Sequence, residues 1–392
     1  VRFSSRPFLI PFVVGVAIVT VVLRADRAQS TEPLAPERYK NIQVLTDVPA
    51  RQVLPTMDFF NAATSFGCAD CHQRGKPGEP PVYEADTPRK TRARDMIRMV
   101  KQINAGTFGV SVTCATCHQG HGRPPSLEMM TAERIALIAA ARGAAPPATP
   151  APNGVPAAVS ALEAPSPSVD AVLTKYFDAI GGRSAIDAMP ASVETAVLAN
   201  LAAPIKADVT MDRHAGKFLV AIQVQQATQV AKIGFDGTSA WVTDGTTVVD
   251  ASDAAFQKIE SYVSSILSTR VGNAYKNLEA EKPQTLKIAA GAGAVAVNVL
   301  AGSQWPDVVE RLYFDAATGL LIRRAIATHT ALGGVLESWV DYSDYEPFAN
   351  VKLPRVITQT TPNLITTMTV TDIKVSPATD DARFSRPKTG GH

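Results

Sequence analysis

Cysteine is scarce in this sequence, with four residues among 392. That scarcity excludes the disulfide-dense scaffold on which small secreted domains rely. Aromatic residues are also few, at 6%, so the core must be mostly aliphatic. Neither sign of charge dominates, since 38 basic residues stand against 36 acidic ones. So even a balance excludes the strongly basic surface that nucleic acid requires, and no nucleic-acid partner is expected. Histidine is limited to six residues. His214 and His329 stand in strand-like stretches without a cysteine or a repeated acidic pattern, so no nucleophile–histidine constellation is expected around them.

The four cysteines that are present all fall in two copies of one box, Cys68-Ala-Asp-Cys71-His72 and Cys114-Ala-Thr-Cys117-His118. None remains elsewhere to carry a lipid. The Cys-x-x-Cys-His pattern is the attachment site of a c-type haem. Its two thiols are spaced to form thioethers with one porphyrin, and the adjacent histidine is placed to ligate the iron. A Cys₄ zinc site would use the same thiols but gives no reason for a histidine after both boxes. A thioredoxin-like motif belongs with a βαβ pattern, which surrounds neither box. Disulfides across i, i+3 would constrain little. The expected cofactors are therefore two covalently bound haem c groups, held by Cys68, Cys71, Cys114 and Cys117, with His72 and His118 on the irons.

The chain opens with Arg2 and Arg6, an apolar run from Pro7 to Leu23, then Arg24, Asp26 and Arg27. Residues 1–28 read as a signal peptide or as an N-terminal membrane anchor, being near the lower limit of about 17–25 residues for a span. Either places the body of the protein in the periplasm, soluble or anchored to the outer face of the inner membrane. Residues 143–168 are rich in Ala, Pro and Ser without periodicity and read as an extended linker. The expected organisation is a helical dihaem domain at 35–142, the linker, a β-rich domain at 169–385 and a tail at 386–392.

Within the first domain two copies of one plan are visible, a helix followed by a turn and a box. One helix is predicted from about Pro49 to Phe66 and carries Met57, eleven residues before Cys68. The second is predicted to start at Thr87 as N-cap with Pro88 in the first turn. It carries Met96 and Met99 in a stripe with Val100 and Ile103, and dissolves around Asn104. A third helix is predicted over Leu127–Ala141, with Met129 and Met130 as packing residues. Methionine is the usual sixth ligand of such irons and raises the reduction potential. Met57 is the candidate for the first iron; Met96 and Met99 compete for the second. Core packing is the alternative fate of each. His121, three residues beyond His118, is read as a cap or hydrogen-bond donor and alternatively as a ligand. The basic stretch Arg89, Lys90, Arg92, Arg94, Arg98 and Lys101, with only Asp95 inside it, reads either as a solvated helix face or as partners for anionic propionates.

From Asn41 to Pro125 the pieces NIQVLTDVP, a helical Met before CADCH, RDMIRMVKQIN and VTCATCHQG resemble one half of the photosynthetic reaction centre cytochrome c subunit family. The resemblance implies a dihaem relative of half length, with axial methionines at Met57 and Met96. The chain departs from the family in having two boxes rather than four, and in lacking a histidine in the loop Ala105–Thr113. The implied function is an extracytoplasmic electron carrier between redox partners the sequence does not name, rather than an enzyme. A dihaem peroxidase is the alternative, and it needs an iron whose sixth position is open or displaceable.

After the linker, a helix is predicted at VDAVLTKYFDAIGG, ending at Gly181-Gly182. Strands are predicted at Glu194–Leu201, Ile205–Arg213, Lys217–Gln223, Val230–Phe235, Ala240–Thr243, Thr285–Ala290, Ala294–Leu300, Glu310–Asp315, Leu320–Thr328, Val335–Tyr342, Arg355–Gln359 and Ile365–Lys374, with a helix over Asp253–Ser268. Asp236-Gly237 and Asp244-Gly245 are hairpin signals. The fold class is thus multidomain α + (α+β), a small helical domain followed by a large curved antiparallel half-barrel. KYFDAIGG, GFDGTSAW, YFDAATGLLIRR and DYSDYEPFANVKLP resemble, more loosely, the half-barrels of bacterial lipoprotein-carrier proteins. That resemblance implies a concavity able to hold a hydrophobic ligand, and a third reading in which the β-domain binds a lipid or partner and the haem module is attached to it.

Overall fold

The computed structural model describes residues 33–75, 82–106, 111–124, 160–161, 165–188, 191–200, 206–214, 217–225, 230–243, 248–250, 275–288, 293–304, 306–362, 364–375 and 381–387. The apolar run Pro7–Leu23 and the predicted helices at Leu127–Ala141 and Asp253–Ser268 lie outside these residues.

Among the described residues the N-terminal domain has five short to medium helices, α1 (Ala35–Arg38), α2 (Val53–Thr64), α3 (Cys68–Cys71), α4 (Pro88–Ala105) and α5 (Cys114–His118). The helix predicted from Pro49 begins instead as a 3₁₀ turn, Ala50–Gln52, that runs into α2. Pro55 is the reason a regular start falls at Val53. It lacks an N–H, and only the first turn leaves an N–H without an intrahelical partner. The helix α2 stops at Ser65, whose φ of 58° turns the chain toward the first box. For α4 the predicted cap is present, since Thr87 Oγ1 accepts from the Lys90 N–H at 3.1 Å, with Pro88 at the first position. Leu45, Val48 and Ile97 form this domain's small core, and Leu332 joins them from the second domain.

In the second domain, β1 (Ser160–Ala161), β2 (Ser192–Asn200), β3 (Lys206–His214), β4 (Lys217–Val224), β5 (Val230–Phe235), β6 (Ala240–Thr243), β7 (Val248–Asp250), β8 (Lys276–Leu286), β9 (Val295–Ser303), β10 (Val308–Asp315), β11 (Leu321–His329), β12 (Val335–Phe348), β13 (Val351–Thr361) and β14 (Leu364–Val375) make one antiparallel sheet. It consists of two meanders, β2 to β7 and β8 to β14, joined where β14 pairs with β2, as in Val370 opposite Ala196. Bulges at Tyr313/Phe314 and Val370/Asp372 increase the local twist that lets so wide a sheet curl.

One expectation needs correction. The predicted strand Thr285–Ala290 is β8, which begins at Lys276 and ends at Leu286. Its early residues are charged and include Pro283, which read as non-strand. Proline is accommodated because the register with β9 breaks between Glu281 and Gln284. Within the linker expected at 143–168, Ser160 and Ala161 pair with Thr285 and Gln284. This short strand covers the edge that β8 would otherwise expose.

Helix α6 (Val169–Ala179) is capped by Ser168, whose Oγ accepts from Ala171 N–H at 3.1 Å. It lies in the concavity together with α7 (Arg183–Asp187). Tyr176, Phe177 and Ile180 pack there against Met211, Leu312, Phe314 and Ile357. Gly181, at φ 123°, ends α6; a Cβ there would meet the Asn350 carbonyl oxygen at 2.2 Å. Helix α6 thus covers part of this face of the sheet. On the other face Trp241 Nε1 donates to the Phe384 carbonyl at 2.9 Å, and Arg383 pairs with Asp212, so the C-terminal turn straps β3 to β6.

A buried ion pair stands among these apolar groups. Arg324 Nε donates to Glu310 Oε2 at 2.7 Å, and the Tyr275 hydroxyl donates to the same oxygen at 2.8 Å. Burial pushes the Tyr275 pKa up, reinforced by the Glu310 charge. Removing one partner strands the other charge, which costs roughly 3–5 kcal/mol, whereas replacing both is often near neutral. We therefore expect Glu310→Leu to lower unfolding stability by about that amount, and Glu310→Leu with Arg324→Met to recover most of it. Urea denaturation followed by circular dichroism reads both.

Candidate functional site

Each box forms one helical turn, α3 and α5, so its two cysteines at i and i+3 share a face. All four thiols are free; Cys68 and Cys117 are exposed, and Cys71 and Cys114 are half-buried. Burial raises the pKa of both half-buried thiols. Among the described residues no three His, Cys, Asp or Glu side chains gather to hold a metal ion, which is the convergence a Cys₄ zinc site demands.

The first box is docked onto the start of α4. Thr87 Oγ1 donates to the Cys71 carbonyl at 2.6 Å, and Arg89 donates to the Asp70 carbonyl at 3.0 Å. The His72 Nδ1 lies 3.1 Å from the Tyr83 carbonyl oxygen, and the Tyr83 ring meets the imidazole edge-on at 5.2 Å. Lys90 Nζ donates to that same carbonyl at 2.9 Å. Burial lowers the His72 pKa against the opposing pull of the Tyr83 hydrogen bond, which favours the neutral ring. A neutral imidazole that gives its Nδ1 proton to a carbonyl leaves Nε2 as the nitrogen for an iron.

The second box repeats the arrangement by a different route. His118 is buried, and its Nδ1 lies 2.8 Å from the His121 carbonyl oxygen. The turn that brings this carbonyl back passes through Gln119 at φ 50° and Gly120 at φ 83°. Of the readings weighed for His121, its contact here is made by the backbone, and its side chain is exposed. The donor sets at both boxes therefore fit a covalently held haem iron: paired thiols on one turn, and a histidine oriented through Nδ1.

The segments flanking the two boxes also touch. Gly120 N–H donates to the Ala63 carbonyl at 2.9 Å, and the Ser65 hydroxyl donates to the Gly120 carbonyl. A Cβ on Gly122 would lie 2.5 Å from the Phe66 ring, two residues before Cys68. The exit of the second box is thereby seated on the approach to the first.

Met57 is half-buried and packs beside the small core of Leu45, Val48 and Ile97. On α4 the face turned to the protein is Arg94, Ile97 and Val100, so Met96 is half-buried on the flank and Met99 is 46% exposed. Leu54, Val82 and Tyr83 add exposed apolar surface to this domain. Such surface fits a domain that also has a porphyrin to cover. The basic stretch is more committed than its sequence suggests. Arg94, buried, binds Asp86 at 2.7 Å and the Asn41 carbonyl at 3.1 Å. Lys101 pairs with Asp47, Arg89 with Asp70, and Arg98 with Asp95. The Tyr83 and His121 carbonyls were not foreseen; no side-chain pattern marks a backbone acceptor.

Residues 16–145 match the family model of the photosynthetic reaction centre cytochrome C subunit. Over 103 residues the chain is 34% identical to the photosynthetic reaction center cytochrome c subunit of Thermochromatium tepidum, covering 25% of this chain and 24% of that one. It is 31% identical to cytochrome c-554 of Chloroflexus aurantiacus over 103 residues, or 24% of this chain and 23% of that relative. The chain spans about a quarter of the length of these curated relatives. Among solved structures, a LolA superfamily protein of Nitrosomonas europaea aligns with 56% of this chain and 99% of its own, at 12% identity and a TM-score of 0.40. A DUF1329 family protein of Desulfovibrio piger aligns with 56% of this chain and 98% of its own, at 11% identity and a TM-score of 0.39. The N-terminal third of the chain is similar to the reaction centre cytochrome c subunit, and the sheet lies outside that match.

Proposed function

We propose that this protein is an extracytoplasmic dihaem c-type cytochrome that carries electrons between redox partners. Cys68 and Cys71 hold the first haem with His72 and Met57 on its iron; Cys114 and Cys117 hold the second with His118 and Met96. The observation that carries the reading is the paired anchoring of His72 and His118 through Nδ1 to backbone carbonyls, beside thiols on one helical turn. The match of residues 16–145 to a cytochrome family supports it.

When bound, haem c supplies reversible one-electron exchange at iron. The chain's own residues hold both imidazoles in fixed orientation, and burial favours the neutral form of His72. The seat of Gly120 on Ala63 and of Gly122 on Phe66 holds the exit of the second box against the approach to the first. The localisation follows from the N-terminal apolar run, read as an export signal or anchor. The physiological donor and acceptor are proteins, and surface charge not consumed by the pairs on α4 contributes to steering them.

The reading is tested on protein matured in a host that attaches haem. Mass spectrometry should find two haems per chain; Cys68→Ala with Cys71→Ala should leave one, and bare polypeptide from the parent chain would refute the proposal. Met57→Ala should keep both haems attached while one becomes high-spin. Its potential should fall by tenths of a volt, within the roughly 0.8 V that axial ligation spans. Electron paramagnetic resonance and redox titration read both effects, and an unchanged spectrum would assign Met57 to packing. Met96→Ala should do the same at the second site, and Met99→Ala should leave it low-spin.

A further inference from the structure

Leu332 sits in the connection between β11 and β12, a place where a hairpin tip would ordinarily face solvent, yet it is only 6% exposed. It is covered by the N-terminal domain, where it completes the core of Leu45, Val48 and Ile97, with Met57 and Phe60 packed against it. The connection is internally braced. Thr330 donates through both its N–H, at 2.7 Å, and its hydroxyl, at 2.9 Å, to the Gly334 carbonyl. Gly334 lies so close to Phe59 that a Cβ would stand 2.3 Å from the ring. The adjacent turn before β10 grips the start of α2. Asp307 Oδ2 receives Gln52 Nε2 at 3.0 Å and the Arg51 guanidinium at 2.9 Å, and Gln52 Nε2 also reaches the His329 carbonyl at 3.0 Å. The His329 N–H in turn donates to the Asp307 carbonyl at 2.7 Å, joining the two turns.

We propose that this corner of the sheet, Asp307 with residues 330–334, is a positioning device for the methionine ligands. Leu332 wedges between the segment preceding α2 and the helix α4, while Asp307 and Gly334 hold α2 at Gln52 and Phe59. The held residues flank Met57 on its own helix, and Ile97 is the neighbour of Met96. A methionine thioether bonds to iron only within a narrow range of distance, so movement of α2 against the first box weakens that bond and lowers the potential. The sheet then acts on the redox centres through mechanical contact without supplying any ligand. This rests on the haem reading above and adds a role for the second domain.

The test uses full-length, haem-loaded protein. Leu332→Ser and Gly334→Val should each lower one midpoint potential and weaken the near-infrared methionine–iron band, with two haems still attached. Hydrogen exchange at α2 amides should quicken. Leu332→Met, which preserves an apolar wedge, should restore the parent values. Asp307→Asn keeps a residue tolerant of the φ of 64° found there and removes the charge facing Arg51; it should shift the same potential by less. This surface variant reads the same contact should Leu332→Ser fail to accumulate. Two attached haems with unchanged potentials and bands in all three disrupting variants would overturn this inference and leave the carrier reading standing. A parent chain without haem would overturn both.

Discussion

An imidazole next to a Cys-x-x-Cys pair can rotate about two bonds, and only one of its orientations presents Nε2 where an iron would lie. The bond from Nδ1 to a backbone carbonyl removes that freedom and selects the tautomer. Both boxes have the bond, at His72 to Tyr83 and at His118 to His121, and each acceptor segment is also held from outside its own box. The Tyr83 carbonyl is held by Lys90 on α4. The His121 turn is held by Ala63 and Ser65 at the end of α2. Each box is therefore oriented by the element that carries or neighbours the other site, and the two sites form one mechanical unit.

The same dependence explains the fate of the basic side chains. A run of six arginines and lysines looks available for propionates, but Arg94 is buried in a lattice with Asp86 and Asn41 that ties α4 to the start of the domain. The Arg94 guanidinium, with Asn41, holds the Asp86 carboxyl below the ordinary carboxylate range. The exposed pairs Arg98–Asp95 and Lys101–Asp47 contribute little to stability, since such pairs are worth about 0–1 kcal/mol and weaken with salt. Their effect is on the field a partner meets: each pair cancels charge that would otherwise steer an acidic surface.

What could be read from residues alone was whatever is written in local chemistry. Thr87 and Pro88 announced a helix start, Gly181 and Gly182 a helix end, and Asp236-Gly237 a hairpin; each is determined within a few residues. The boxes were legible for the same reason. The start of β8 is hidden in the sequence because Glu279, Lys282 and Pro283 speak against a strand, and only its pairing with β9 overrides them. The seating of Gly122 on Phe66, and of Gly334 on Phe59, had no signature beyond a glycine, since what required the glycine lies far along the chain. By helical spacing alone Met96, Met99, Val100 and Ile103 make one face. The structure divides it because Arg94, long enough to reach Asn41, turns α4 so that Ile97 and Val100 face inward.

The division of labour between the domains follows from topology. The two meanders join only where β14, the last strand, pairs with β2, across a long stretch of chain. Contacts of such separation form late, because loop closure must precede them. The contacts of Asp307 and His329 with Gln52 span 255 and 277 residues, so by the same reasoning they form after the helices, whose own contacts are local. Anchors for His72 and His118 that relied on the sheet would leave the boxes unoriented until then; drawn from α2 and α4 instead, they need only the N-terminal domain. With α6 packed in its concavity, the sheet offers the helices a stiff, packed support. A stiff support suits a thioether ligand better than an imidazole fixed by its own hydrogen bond, because methionine has three rotatable bonds and no second polar atom by which to be held.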